Sequence, residues 1–97
     1  MHRQGDLLFV KVSEIPQTAE KQTHGIIAEG EVTGHKHQLS PGAQAALYLA
    51  AGIAYIEAIR EAKILHEEHK EVILPPGQWE VRRQQEYTPA GWRQVED

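Results

Sequence analysis

Short apolar runs alternate along the chain with segments rich in glycine, proline and polar residues. The first run, residues 7–12, follows Gly5-Asp6 and contains a phenylalanine and two valines. β-Branched and aromatic residues in a run of this length are typical of a strand. Further runs at 25–28, 71–74 and 78–83 adjoin glycine or proline turns. We therefore predict several short strands joined by tight turns.

The middle of the chain supports two interpretations. Residues 45–50 and 53–58 have alternating apolar positions on either side of Ala51-Gly52, which predicts two strands joined by a glycine turn. Residues 43–70 are also rich in alanine, glutamate and lysine, whose intrinsic propensity favours a helix over about 55–70. The predicted fold class is mainly β, as a small antiparallel barrel or sandwich. The alternative is an α+β fold with that helix.

The composition narrows the class of protein. A chain of 97 residues is long enough for one domain, which we predict to span residues 1–97. The formal net charge is −4 and the basic residues are scattered, whereas nucleic-acid-binding domains are usually basic on one face. No apolar stretch is as long as a membrane span, and the first residues lack the apolar segment of a signal peptide. We expect a cytoplasmic protein with no membrane contact.

Two pairs of histidines are the strongest chemical signal in the sequence. The chain has no cysteine, so imidazole and carboxylate are its strong metal-ligating groups. His35 and His37 are two residues apart, so on a strand both side chains point to the same face. His66 and His69 are three apart, which places them on one face of a helix, or together on a strand that breaks or bulges at 67–68. We predict that these four histidines bind one divalent metal ion.

The ion predicted for this set of ligands is zinc, iron, manganese or nickel. Glu67 and Glu68 lie between two predicted ligands, and either is a candidate general base. If the protein is an enzyme, its metal acts through a bound water or a small substrate. The segment His66-Glu67-Glu68-His69 differs from the zincin motif His-Glu-x-x-His, whose histidines are four apart. A zinc peptidase is therefore not predicted.

Part of the chain resembles the cupin superfamily. Gly30 followed by His35-Lys36-His37 resembles the first cupin motif, and Pro75-Pro76-Gly77 resembles the Pro-x-Gly of the second. Glu80 stands where the second motif has its histidine, and Gln84 stands where it has its final asparagine. The resemblance implies a small antiparallel β-barrel that holds a metal ion between histidines. The chain also resembles short, uncharacterised bacterial proteins with a Gly-His-x-His and a His-x-x-His ahead of a Pro-Pro-Gly turn.

The C-terminal third contains a second group of candidate binding residues. Trp79, Tyr87 and Trp92 are interleaved with arginines, among them Arg82 and Arg83. Aromatic and arginine side chains together stack on nucleobases or form protein–protein contacts, whereas a buried Trp79 would belong to the core. The alternative function is therefore a non-enzymatic module for RNA or protein, with a structural metal or none. In either case we expect a homo-oligomer, which would enlarge a thin core and cover edge strands.

Overall fold

Short strands make up nearly all of the regular structure. The computed structural model describes residues 2–29, 34–83, 85–88 and 91–94. Its strands, in chain order, are β1 (His2–Gln4), β2 (Leu7–Val12), β3 (Glu20–Lys21), β4 (Ile26–Glu29), β5 (Lys36–Leu39), β6 (Ala45–Ala50), β7 (Ile53–Ala58), β8 (Ala62–Leu65), β9 (Val72–Leu74), β10 (Gly77–Arg83), β11 (Gln85–Thr88) and β12 (Gly91–Gln94). No helix occurs in these ranges, so the prediction of a mainly β fold is confirmed.

The helix considered for residues 55–70 is wrong. This segment instead contains the end of β7, all of β8 and a bend after it. In β8 the buried Ala62 and Ile64 alternate with the exposed Lys63 and the half-buried Leu65. Alternation of this kind lets a strand bury one face, and burial in a tertiary structure outweighs the modest helix propensity of alanine, glutamate and lysine.

The strands form two main antiparallel sheets and one hairpin. The larger sheet has the order β1-β2-β10-β7-β6-β3, and the smaller has the order β4-β5-β8-β9. Strands β11 and β12 pair with each other. Each main sheet ends in strands with one hydrogen-bonded neighbour, so the described strands do not close into the barrel that the cupin resemblance implies. Of the two predicted forms, barrel and sandwich, the structure has the sandwich.

The core lies between the two main sheets. Phe9 and Ile56 of the larger sheet and Ile64 and Leu74 of the smaller sheet are fully buried and belong to one apolar cluster. Trp79 of β10 joins them at 4% exposure, and its indole N–H donates a hydrogen bond to the Pro75 carbonyl at 3.1 Å. A buried indole normally needs such a partner for its N–H. Trp79 therefore belongs to the core.

The β6–β7 hairpin has the two-residue turn that the sequence predicts. Ala50 pairs with Ile53, and between them Ala51 has a φ of 49° and Gly52 a φ of 77°. Positive φ at both central residues defines the type I′ turn, which matches the right-handed twist of paired strands. Glycine adopts this conformation freely, whereas the Cβ of alanine makes it unfavourable by about 1 kcal/mol.

Replacing Ala51 by asparagine is therefore expected to stabilise the protein by about 0.5–1 kcal/mol, because Asn-Gly is the preferred type I′ sequence. Thermal unfolding should show a midpoint that rises by roughly 2–8 °C for a domain of this size. Gly52→Ala is the opposing control and should lower the midpoint. Gly52 has open space around it, so the added methyl group meets no other atom and only the positive φ makes the substitution unfavourable. A lower midpoint for Ala51→Asn would contradict the turn assignment.

No helix in the described part of the chain is long and apolar enough to cross a membrane. The expected homo-oligomer stays a prediction. The described surface includes partly exposed apolar side chains, of which Ile59 and Ile73 are the most exposed. Single exposed apolar residues are common on monomers and do not by themselves indicate an interface.

Candidate functional site

The fold brings the two histidine-bearing segments together at one end of β5 and β8, the two inner strands of the smaller sheet. β5 begins at Lys36 and β8 ends at Leu65, and these neighbouring strands are antiparallel, with Gln38 opposite Leu65. The start of one antiparallel strand lies beside the end of its neighbour. Residues just before and within β5 therefore lie next to residues that follow β8.

All four predicted histidines meet there, and we call His35, His37, His66 and His69 the histidine cluster. The ring centroids of His37 and His66 are 4.4 Å apart, and those of His66 and His69 are 4.5 Å apart. The His35 and His66 centroids are 5.5 Å apart, and the His37 and His69 rings are parallel with centroids 6.4 Å apart. His66 therefore contacts the other three rings.

A bend, and not a helix, brings His66 and His69 together. Residues 67–69 form a bend directly after β8, as the interpretation of a broken strand at 67–68 predicts. His66 Nδ1 accepts hydrogen bonds from the backbone N–H of Glu68 at 3.0 Å and of His69 at 3.2 Å. These bonds fix the ring and leave Nε2 as the nitrogen that can bind another group. In the neutral ring the proton then sits on Nε2, so a neutral His66 binds a metal ion through that atom only when its proton moves to Nδ1 and both of these bonds are lost.

The deepest ring of the histidine cluster is held by Gln4, which the sequence analysis missed. His37 is completely buried, and its Nδ1 lies 2.9 Å from Gln4 Oε1. The Gln4 amide nitrogen donates to the carbonyls of Ile64 and Lys70, each at 2.9 Å. Because both partners of the nitrogen are acceptors, the orientation of the amide is unambiguous, and Oε1 must accept from His37 Nδ1–H. The other ring nitrogen, Nε2, carries the lone pair when His37 is neutral.

That second nitrogen faces a buried carboxylate, Asp6, in the β1–β2 turn. His37 Nε2 and Asp6 Oδ1 are 3.4 Å apart, and the Asp6 side chain is 3% exposed. Asp6 Oδ2 also lies 3.2 Å from Arg83 Nε, at the end of β10. The sequence gives no sign of this role, because aspartate beside glycine is typical of an exposed turn.

The two candidate bases occupy different positions. Glu67 Oε2 accepts a hydrogen bond from the backbone N–H of Lys36 at 2.8 Å, so it joins the bend to the segment between His35 and His37. The Lys36 N–H, and after it the N–H of Glu67 itself, lower the pKa of the Glu67 carboxyl below its usual value. Burial raises this pKa, and the nearby His35 and His66 lower it further. Glu68 is 61% exposed, and its Oε1 lies 3.5 Å from His35 Nδ1.

The predicted aromatic and arginine residues do not form one exposed patch. Trp79 and Arg83 share one face of β10, with Trp79 in the core and Arg83 beside Asp6. Arg82 is exposed, and its Nε lies 3.2 Å from Oε1 of Glu80, the residue that the cupin resemblance aligns with a histidine. The side chains of Tyr87 and Trp92, together with Gly30 and Gln84, lie outside the described residues.

The histidine cluster is not arranged as a complete metal cage. Within residues 2–29, 34–83 and the two C-terminal strands, no group of three or more His, Cys, Asp or Glu side chains is positioned to hold a metal ion. The rings are in contact, but their donor atoms would have to turn toward a common point. Because Gln4 holds the His37 ring and two backbone N–H groups hold the His66 ring, such a rotation would break hydrogen bonds within the cluster.

Comparison with known proteins gives a family and no activity. A search of curated proteins and a search of solved structures each found no match. A family profile matches residues 3–84, a range that includes the histidine cluster, the buried Gln4 and Asp6, and Arg83. The chain therefore belongs to the family described as a domain of unknown function, DUF8820.

Proposed function

We propose that the protein is a small metal-binding β domain and that the histidine cluster, together with Asp6, binds one divalent metal ion. The observation that carries the proposal is the buried contact between His37 Nε2 and Asp6 Oδ1, at 3.4 Å. His37 and Asp6 are the best prepared ligands. His35, His66 and His69 lie close enough to complete the coordination.

The contact between His37 and Asp6 calls for a positive charge between them. Gln4 holds the proton of neutral His37 on Nδ1, so Nε2 presents a lone pair to a carboxylate oxygen. Two acceptors that face each other in a buried site repel, and either a proton or a cation removes the repulsion. A charge-assisted N–H···O bond would be about 2.7–2.9 Å long. Two ligand atoms each about 2.0–2.1 Å from a tetrahedral ion are roughly 3.3–3.4 Å apart, which fits the observed separation better.

The spacing of the rings supports the same proposal. An imidazole nitrogen about 2.0–2.1 Å from an ion places the ring centroid roughly 3.2 Å from it, so two such rings are about 4.5 Å apart at a right angle and about 5.2 Å apart at the tetrahedral angle. The three distances from the His66 centroid are 4.4, 4.5 and 5.5 Å. The separations of His66 from His37 and from His69 therefore agree with those of ligands of one ion, whereas the 6.4 Å between His37 and His69 exceeds the tetrahedral value.

The neighbours of these ligands match the supporting contacts of metal sites. A ligating histidine usually donates its second N–H to an oxygen, which fixes the ring and its tautomer. Gln4 Oε1 has this role toward His37, and Arg83 holds the second oxygen of Asp6. Zinc, iron, manganese and nickel all accept imidazole and carboxylate ligands.

Metal analysis of tag-free protein tests the proposal. We expect one divalent ion per chain after incubation with zinc, iron(II), manganese or nickel salts and removal of excess metal. The variants His35→Ala, His66→Ala and His69→Ala should each bind the ion more weakly. His24→Ala is the matched control, because His24 is exposed and is not one of the four histidines of the cluster. Full metal content in all three cluster variants, or none in the wild type, would overturn the proposal.

Glu67 is expected to support the site from outside the ligand shell, and Glu68 is not. Glu67→Ala removes the acceptor for the Lys36 N–H and so loosens the link between the two histidine-bearing segments. Loss of a contact to a metal ligand weakens binding by about 10- to 100-fold, and we expect the lower end here because Lys36 is not itself a ligand. Competition with a fluorescent chelator would measure the change. Glu68→Ala is the control, and equal effects of the two substitutions would contradict the assignment.

A further inference from the structure

We infer that the outer face of the larger sheet binds a second copy of this chain. The contact surface, which we call the outer patch, crosses β2, β10, β7 and β6 in two adjacent rows. The first row consists of Val10, Glu80, Tyr55 and Tyr48, and the second of Leu8, Arg82, Ile53 and Ala50. The proposed dimer does not depend on the metal ion.

The outer face is apolar at positions where a solvated sheet face is polar. Phe9, Ile56 and Leu47 are buried in the core, so the residues that alternate with them along β2, β7 and β6 point away from it. These outward residues are Leu8, Val10 and Val12, Ile53, Tyr55 and Glu57, and Ala46, Tyr48 and Ala50. A face open to water normally carries polar residues, whereas strands covered on both faces are apolar almost throughout. Because Glu57 is the only charged residue among them, these strands resemble strands that are covered on both faces.

The segment between β2 and β3 covers a third row beside the outer patch. The N–H of Ile15 donates a hydrogen bond to Gln78 Oε1 at 2.9 Å, and the Gln78 amide donates to Glu57 Oε2 at 3.3 Å. Gln78 and Glu57 are paired across β10 and β7, next to the first row of the patch. The second row is more open, since Ile53 is 38% exposed and the Arg82 side chain is 57% exposed. Among the described residues of this face, the outer patch is therefore the part that a partner can reach.

The charges at the centre of the outer patch are opposite and balanced. Glu80 and Arg82 lie two residues apart on β10, and Arg82 Nε is 3.2 Å from Glu80 Oε1. β10 has β2 on one side and β7 on the other. The patch therefore has one pair of opposite charges in the middle, apolar residues on both sides and no net charge. A partner with a large charge of one sign, such as a nucleic acid, gains little from this surface.

A second copy of the chain provides the matching surface. A twofold axis that passes between the two rows, perpendicular to the strands, places β10 over the partner's β10 in the opposite direction. Each Glu80 then faces the partner's Arg82, and each Val10 faces the partner's Leu8. In the same arrangement Tyr55 faces the partner's Ile53. Identical copies commonly associate in this way through one self-complementary patch, and the opposite charges fix the register.

Sedimentation velocity over a wide range of protein concentration tests the inference, with a chelator present to exclude bridging by metal. We expect the wild type to form a dimer whose fraction rises with concentration. Glu80→Arg brings two positive charges together on each side of the axis, and Arg82→Glu brings two negative charges together. Each substitution should weaken dimerisation by roughly tenfold or more, because like charges in an interface repel.

A mixture of the two charge variants separates loss of the interface from loss of folding. Glu80→Arg protein and Arg82→Glu protein have complementary patches, so together they should form a heterodimer although each alone is monomeric. Lys63→Glu is the matched control, because Lys63 is an exposed residue of the smaller sheet and pairs with Glu71. This reversal of charge should leave the dimer intact.

A wild type that stays monomeric at every concentration overturns the inference. Charge variants that dimerise like the wild type, or a mixture of folded variants that stays monomeric, also overturn it. If the charge variants do not fold, Ile53→Lys decides, because Ile53 is exposed at the start of β7 and faces the partner's Tyr55 in the proposed dimer. Dimerisation of Ile53→Lys as strong as that of the wild type would then exclude the outer patch as the interface.

Discussion

Replacing His37 by alanine is expected to abolish stoichiometric metal binding and to lower the free energy of unfolding by about 2–4 kcal/mol. His37 is the only completely buried ring among the described histidines, and its two nitrogens face Gln4 and Asp6. Its loss removes the best prepared ligand and leaves a buried amide oxygen and a buried carboxylate with one partner fewer. Metal content and urea unfolding in the presence of a chelator measure the two effects separately.

The chelator matters because a bound ion stabilises the folded state by itself. With the chelator present, the change for His37→Ala reports the polar contacts and the lost packing. Without it, the wild type should gain stability from added metal, and His37→Ala should gain none. His24→Ala, at an exposed histidine, should match the wild type under both conditions. Metal-dependent stabilisation of His37→Ala as large as that of the wild type would exclude His37 as a ligand.

Replacing Gln4 by alanine is expected to destabilise the protein by about 2–4 kcal/mol even without metal. The Gln4 side chain joins three parts of the fold, since its amide contacts Ile64 in β8, Lys70 before β9 and His37 in β5. Its removal leaves buried polar groups unsatisfied. For a domain of about this length the thermal midpoint should fall by roughly 10–25 °C.

Two further substitutions separate the causes of that effect. Gln4→Leu keeps most of the side-chain volume, so a loss as large as that of Gln4→Ala assigns the effect to hydrogen bonds and not to a cavity. Gln22→Ala is the control, because the Gln22 amide makes one exposed bond, to the nearby Glu20 carbonyl. A midpoint for Gln4→Ala within a few degrees of the wild type would show that water replaces these contacts.

The sequence predicted the strands that adjoin glycine or proline turns, such as β2, β6, β7 and β10, and missed β8. Strands β6 and β7 have the predicted bounds, 45–50 and 53–58, because alternation and the Ala51-Gly52 turn agree. Strand β8 was not predicted, since its alanine and lysine favour a helix when only local propensity is considered. Its strand conformation depends on pairing with β5 and β9, which lie elsewhere in the chain.

The candidate site likewise combines residues that the sequence predicted with residues that it missed. Spacing alone selected the histidine cluster, because residues two apart on a strand share a face and a break after β8 allows the second pair to converge. Gln4 and Asp6 have no local pattern that marks them. Both are single polar residues near a glycine, and they are buried only because β1 and its turn pack against the smaller sheet. Their burial depends on tertiary structure, so no short stretch of sequence identifies them.

The pairing of β2 with β10 sets the order in which this site can be assembled during synthesis. Val81 of β10 lies opposite Phe9 of β2, and the same strand ends at Arg83, the partner of Asp6. On the ribosome, Asp6 is made 77 residues before Arg83 and meets this arginine only after β10 has left the exit tunnel. Contacts between such distant positions also slow folding relative to local ones. If the proposed ion binds, its acquisition is therefore expected to be a late event, which follows completion of the sandwich and does not nucleate it.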